Sequence, residues 1–157
     1  EPMPEETRQY VRMNWRQVTE ETGATFNWDF WTECRPRRST YPACRAVLAA
    51  RAQKVDSAPE LFDAIQRAYY QEARNPANVQ TLVALAGEVG LDRDRFERDL
   101  GSEEVESLLQ EDFSLRRSLG VREFPSLVLK SGTEQVSVVR GYANAESTLG
   151  RLTEVLG

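Results

Sequence analysis

The sequence predicts an α/β chain in which helices dominate: a run of helices, then one hairpin, then a closing helix. Three observations carry this. Apolar residues recur at helical spacing, in capped segments, from Val11 to the region before Gly120. After Gly120 the period changes: "SLVLK" is a short apolar run and "QVSVVR" carries its valines in strand fashion, with the turn residues Ser131-Gly132 between. Pro125 stands directly ahead of "SLVL". A residue that cannot donate to a ladder belongs at a strand's first position, an edge or a bulge.

The elements follow in order. Pro4 sits where a first helical turn tolerates it, and Val11, Trp15 and Val18 define an amphipathic helix over about 5–22, ended by Gly23. Phe26, Trp28 and Phe30 alternate across "TFNWDFW", which predicts a short extended piece with one aromatic face; with Trp31 these rings are read as core rather than as a substrate groove. "RPRRST" is a basic loop. Its Arg35, Arg37 and Arg38 are read as solvated, with contact to helix C-termini, acidic groups or an anion as the alternative.

Tyr41-Pro42 opens a helix with Cys44, Val47, Leu48 and Arg51 on one stripe. Ser57 and Glu60 have the spacing of a capping box, followed by an apolar face of Leu61, Phe62, Ile65 and Tyr69. Leu82, Val83, Leu85, Ala86 and Val89 mark the next helix, closed by Gly90, and Asp92 caps a short one carrying Phe96 and Leu100. Ser102 caps a long helix with Glu103, Glu104 and Glu106 at its start and Arg116 and Arg117 near its end, the order the helix dipole favours. Asn144 caps a final helix with Leu149, Leu152, Val155 and Leu156. Two strands do not make an independently stable sheet, so something else must cover them.

Composition narrows the function. The 157 residues carry 20 Lys+Arg against 25 Asp+Glu, a net charge of −5, which argues against a general nucleic-acid binder. No apolar run approaches the roughly 18–20 residues of a membrane span. The absence of histidine excludes imidazole metal sites and histidine acid–base catalysis. No paired-carboxylate site, phosphate loop or metal-ligand spacing is present, so no cofactor or metal is expected. The chain opens on Glu1 without an initiator methionine, a basic segment or an apolar signal run, and is expected to be processed or a fragment.

Helix, Gly120-Val121, Phe124-Pro125, hairpin and closing helix together resemble the second half of a thioredoxin fold. The ordered set "RPRRSTYPACRAVLAAR", "AIQRAYYQEARNP", "LAGEVGLDRDRF" and "DFSLRRSLGVREFPSLVL" resembles the DsbA-type disulfide oxidoreductases with a helical insertion, in the bacterial branch labelled protein-disulfide isomerase. The resemblance implies an α/β, thioredoxin-like fold with a large all-helical insertion. Residues 1–119 would form the insertion and linking helix, and 120–157 the β-β-α half of the thioredoxin unit. It implies that Pro125 is the cis-proline and that Phe124 and Pro125 bind substrate, the backbone of Phe124 pairing with an extended chain; a trans proline that starts a strand is the alternative. The implied partner is a protein or peptide thiol or disulfide, with glutathione as a further candidate. The branch favours the cytoplasm over the periplasm.

Members of that family carry Cys-x-x-Cys at a helix start, where the helix N-terminus lowers the attacking thiol's pKa. This sequence has no such motif, and its beginning corresponds to the region after the family's second strand. The N-terminal β-α-β part is therefore expected to be absent, the catalytic residues to lie elsewhere, and the chain alone to be redox-inactive. Cys34 and Cys44 are nine residues apart in the intervening count, not two. Cys34 lies beside arginines whose charge favours a thiolate, and Cys44 lies on the stripe with Val47 and Leu48, where cysteine is a small core residue. A buried, inert Cys44 with an incidental Cys34 is the leading reading; a disulfide between them and a functional redox pair are the others. Two further functions stay open, a glutathione-dependent isomerase or kappa-type glutathione transferase relative, and a non-catalytic helical binding module. The apolar "SLVL" edge is expected to recruit either a second copy, giving a homodimer, or an upstream segment.

Overall fold

A computed structural model describes residues 2–37 and 39–157. The chain divides into two compact units, Glu1–Leu109 and Gln110–Gly157, and the division falls within one helix. Arg38 lies outside the described residues.

The first unit is helical. It contains α1 (Glu5–Thr22), α2 (Phe30–Glu33), α3 (Tyr41–Gln53), α4 (Ser57–Tyr70), α5 (Val79–Glu88), α6 (Arg93–Leu100) and the start of α7 (Glu103–Ser118). α3 packs against α4, α5 and α6. It can approach them closely because its buried stripe is Ala46, Leu48, Ala49 and Ala50, three of them with a single methyl. Leu61, Ala64, Ile65 and Ala68 of α4 are buried, as are Leu82, Val83, Leu85 and Ala86 of α5 and Phe96 and Leu100 of α6. Cys44 is exposed, and Phe62 is 47% exposed, so neither belongs to the stripe expected of it.

Local chemistry sets the helix ends. Gly23 takes φ +73° and its N–H reaches Thr19 O, closing α1 where its apolar pattern stops. Asp92 Oδ1 accepts from Arg95 N at 2.8 Å, and Ser102 Oγ accepts from Val105 N at 3.2 Å, as the sequence predicts. Ser57 does not cap. It is buried at the first position of α4, and its hydroxyl faces the carbonyls of Ala50 (3.0 Å) and Lys54 (2.6 Å), completing the end of α3 instead of forming a box with Glu60. Arg45 ties α3 to the α6–α7 junction: Nε donates to Leu100 O and Nη2 to Ser102 O, both at 2.9 Å, while Nη1 pairs with Glu106.

A second core is aromatic. Trp15 of α1, Phe30 and Trp31 are buried together, with Phe26 and Tyr69 partly buried against them. Phe26 stacks on Trp15 with centroids 4.8 Å apart, and Phe30 meets Tyr69 edge-on at 4.6 Å. Phe26, Phe30 and Trp31 are core, as expected, whereas Trp28 is exposed, touching Trp15 only edge-on. The backbone is not extended there. Asn27 Oδ1 accepts from Asp29 N at 3.0 Å, a side-chain turn that breaks the alternation and starts α2.

The second unit comprises the rest of α7, β1 (Ser126–Ser131), β2 (Glu134–Arg140) and α8 (Ala145–Leu156). The strands are antiparallel, Leu127 opposite Val139 and Leu129 opposite Val136, with an irregularity between Leu127 and Val128 that leaves Val138 without a partner position. Val138 and Val139 are buried, and α8 packs on β2. Asn144 Oδ1 caps α8, accepting from Ser147 N at 2.9 Å. No residue of α8 is buried, and Leu149 and Leu156 are 62% and 66% exposed. Among the described residues β2 is the one strand paired with β1, so the other edge of β1 is open. No described helix is long and apolar enough to cross a membrane.

Candidate functional site

The approach to β1 is built from a helix stop. Gly120 adopts φ +66°, a region an L side chain resists, and the N–H of Val121 bonds back to Arg116 O at 3.1 Å, so the chain leaves α7 in a tight reversal. Residues 121–125 then cross to the strand. Ser126 Oγ donates to Glu123 O at 2.7 Å and Ser126 pairs with Arg140, which pins the far end of the loop. The Phe124–Pro125 peptide bond is cis. Phe124 is 73% exposed. A pocket of about 330 Å³ lies beside it, lined by Val121, Arg122, Glu123, Ser126, Ser137 and Arg140 among others. Arg140 Nε donates to Ser137 Oγ at 3.1 Å, which holds that guanidinium along β2.

This loop brings together an exposed ring, an open strand edge and a small polar hollow. It contains no thiol, since the cysteines are at 34 and 44, both in the first unit. It presents the unpaired backbone of the β1 edge, and no thiol of its own to attack a disulfide.

The cysteines are separate thiols, not a disulfide. Cys34 follows the last residue of α2; its thiol is half-buried and donates to Ala73 O at 2.9 Å. Burial pushes the Cys34 thiol up from its ordinary value, and the carboxylate of Glu33 adds to the same direction. The thiolate expected from the neighbouring arginines is thus not favoured. They stand beside Cys34 in sequence, but burial first and then Glu33 set the direction of its shift. Cys44 is exposed, on the outer face of α3. Among the described residues no group of acidic or cysteine side chains could hold a metal ion.

Sequence reasoning missed a second feature. A polar cavity of about 810 Å³ lies between residues 33–37 and 73–81. It is shaped by Ala73 at φ +51° and by Asn75, a buried amide whose Nδ2 donates to Arg35 O at 3.0 Å while Oδ1 accepts from Ala77 N at 3.0 Å. Asn75-Pro76, a turn-forming pair, was the available signal.

Residues 6–148 match the model of a family described as thioredoxin. Two curated relatives are ClpXP adapter proteins SpxH. That of Halalkalibacterium halodurans is 25% identical over 123 residues, covering 78% of this chain and 40% of the relative. That of Bacillus subtilis is 25% identical over 114 residues, covering 72% and 38%. The chain thus spans about 40% of the length of these relatives. Among solved structures, a Nitrosomonas europaea protein provisionally described as a protein disulfide isomerase is 28% identical with a TM-score of 0.87, over 99% of this chain and 76% of that one. Cytosolic disulfide reductase DsbM from Pseudomonas aeruginosa shares the fold at 24% identity and a TM-score of 0.74, over 98% of this chain and 79% of that one. A structure of DsbM with GSH gives 23% and 0.73, over 100% and 80%.

Proposed function

The chain belongs to the thioredoxin family, with the α/β, helix-rich fold of its DsbA-type disulfide isomerases and reductases, and from that premise we propose that it is part of a thiol–disulfide oxidoreductase. In this reading residues 1–119 are the helical insertion and linking helix and 120–157 the β-β-α half of the thioredoxin unit. Phe124 and Pro125 form the substrate-side wall. The nucleophile is supplied from outside these residues.

The observation that carries the reading is the exposed Phe124 at the head of β1, whose outer edge is open. An extended peptide can pair with such an edge through its main chain, its side chains falling alternately toward the aromatic ring and away. The reaction proposed for the complete protein begins with attack of a thiolate on one sulfur of the substrate disulfide. The other sulfur leaves as thiolate and a mixed disulfide forms. A second cysteine of the enzyme then displaces the substrate's remaining sulfur, so that the substrate ends reduced and the enzyme pair oxidised. Here the role of this chain is to hold the substrate strand. Neither Cys34 nor Cys44 is assigned a step, which agrees with the raised pKa of Cys34. Glutathione is a fitting small thiol partner, and the DsbM structure with GSH supports including it. The open edge would be covered by an upstream segment or by a second copy.

The test is insulin reduction by this chain and by the complete gene product, each with dithiothreitol. Activity in the complete product alone is expected; equal activity in both would overturn the reading. A second reading, a non-catalytic binding module, is favoured by the adapter function named for the two SpxH relatives. The upstream gene sequence separates the readings: Cys-x-x-Cys for the oxidoreductase, a lone serine for a glutathione-transferase relative, neither for a binding module.

A further inference from the structure

The geometry points to a second binding site, in the helical unit and independent of the redox reading: the cavity between residues 33–37 and 73–81 takes the phosphate group of a small phosphate ester. Its lining residues include Arg35, Arg37, Arg74, Asn75, Asn78 and Thr81. Glu33 lines it too, so the titratable lining is three guanidiniums against one carboxylate and one thiol, Cys34. With Arg74 offset by Glu72 and Glu88, Arg35 and Arg37 stand against Glu33, a small positive excess on a chain whose net charge is −5.

The arginines are presented by a pinned, extended segment. On one side Met3 N donates to Pro36 O at 2.8 Å and Pro2 bridges Arg37. On the other side the Cys34 thiol donates to Ala73 O and Asn75 Nδ2 to Arg35 O. Residues two apart in an extended chain point the same way. Arg35 and Arg37 accordingly share the cavity while Pro36 between them is buried. Arg74 is held by Glu72 and Glu88. No described carboxylate lies within ion-pair distance of Arg35 or Arg37, so both remain available to an anion.

Helix α5 begins at the same wall. Asn78 is its N-cap residue and makes no side-chain cap bond, although Asn78 and Thr81 both line the cavity. The side chains of Asn78 and Thr81 add polar groups beside the Arg35 and Arg37 guanidiniums, while the Thr81 N–H is taken by Asn78 O at 3.1 Å. Planar forks with amide donors suit a tetrahedral oxyanion better than a point cation does. The cavity, about 810 Å³, is wider than one phosphate and leaves room for the organic part of an ester.

The experiment is an amide and arginine side-chain NMR titration of the chain with ribose 5-phosphate, inorganic phosphate and sodium chloride at matched ionic strength. Ribose 5-phosphate is expected to give saturable shifts at Arg35, Arg37 and the 78–81 turn, and to bind more tightly than inorganic phosphate. The R35Q/R37Q variant removes two exposed side chains and is expected to keep the wild-type spectrum elsewhere while losing at least about tenfold in affinity, the worth of one charge-assisted contact. R122Q, in the second unit and outside the cavity lining, is the control and is expected to bind normally. Thermal unfolding gives a second readout: the ester raises Tm of the wild type and of R122Q, but not of R35Q/R37Q. Shifts equal to those of chloride, or undiminished in R35Q/R37Q, would overturn the site. Inorganic phosphate binding as tightly as the ester would overturn the assignment of an ester. None of these results depends on whether insulin is reduced.

Discussion

Phe124→Ala separates binding from folding. With Phe124 73% exposed, about a quarter of its surface is buried in the native chain. A phenylalanine can bury ~150–250 Å², so this is ~40–65 Å², and at ~25 cal/mol per Å² the side chain contributes about 1 kcal/mol to stability. For a chain of this size the loss corresponds to ~2–4 °C in Tm. Docking of a substrate strand would cover the remaining ~110–180 Å², a gross ~3–4.5 kcal/mol from which the ordering of both partners must be subtracted. A net ~1.5–3 kcal/mol is ~10–100-fold in affinity. The assay is kcat/KM for a peptide disulfide in the complete gene product carrying Phe124→Ala, with thermal unfolding alongside. A fall of ~10–100-fold with Tm lowered by only ~2–4 °C is expected. An unchanged kcat/KM, or a Tm drop several times larger than that, would refute the assignment of the ring to substrate rather than to the core.

Three further outcomes are expected. Arg45→Met keeps the aliphatic stem but strands the Leu100 and Ser102 carbonyls, so denaturant unfolding should show a loss of ~2–4 kcal/mol, whereas Glu106→Gln, at the exposed end of the same network, should cost under ~1 kcal/mol. Thiol labelling followed by peptide mass spectrometry at neutral pH should modify the exposed Cys44 before Cys34, and Glu33→Gln should speed labelling of Cys34 by removing a charge that opposes its thiolate. Burial, with help from Tyr70 and Cys34, pushes the Tyr69 hydroxyl up to about 12 from 10. The unfolded chain then releases its proton first, so this contribution to stability is intact below pH 10 and is lost as pH rises toward 12; Tyr69→Phe should flatten that alkaline decline in a Tm series.

Helix ends were legible where a single residue decides them. Gly23 and Gly120 take the left-handed conformation that terminates a helix, and Asp92, Ser102 and Asn144 cap as their spacing predicts, because these devices act within three or four residues. The hairpin was legible because its apolar period and its Gly132 turn are equally local. What failed depended on distant partners. The buried face of α3 is made mostly of alanines, whose weak contrast with Cys44 and Val47 hides the direction of the core. Ser57 lost its capping role to carbonyls of the preceding helix. The aromatic alternation at 26–30 was overridden by an Asn27 turn, with Phe26 and Phe30 packed against Trp15. Of the candidate sites, Phe124-Pro125 could be located by resemblance. The Arg35–Arg37 cavity could not, since half its wall is forty residues away and depends on the left-handed Ala73.

The central claim is that these residues hold a substrate strand and leave the thiol chemistry to cysteines outside them. Insulin reduction by the complete gene product carrying Cys34→Ala and Cys44→Ala measures it most directly. The account predicts the wild-type rate in that double variant. A rate that collapses to the dithiothreitol background, in a variant that still unfolds at the wild-type temperature, would place the nucleophile within this chain and contradict it.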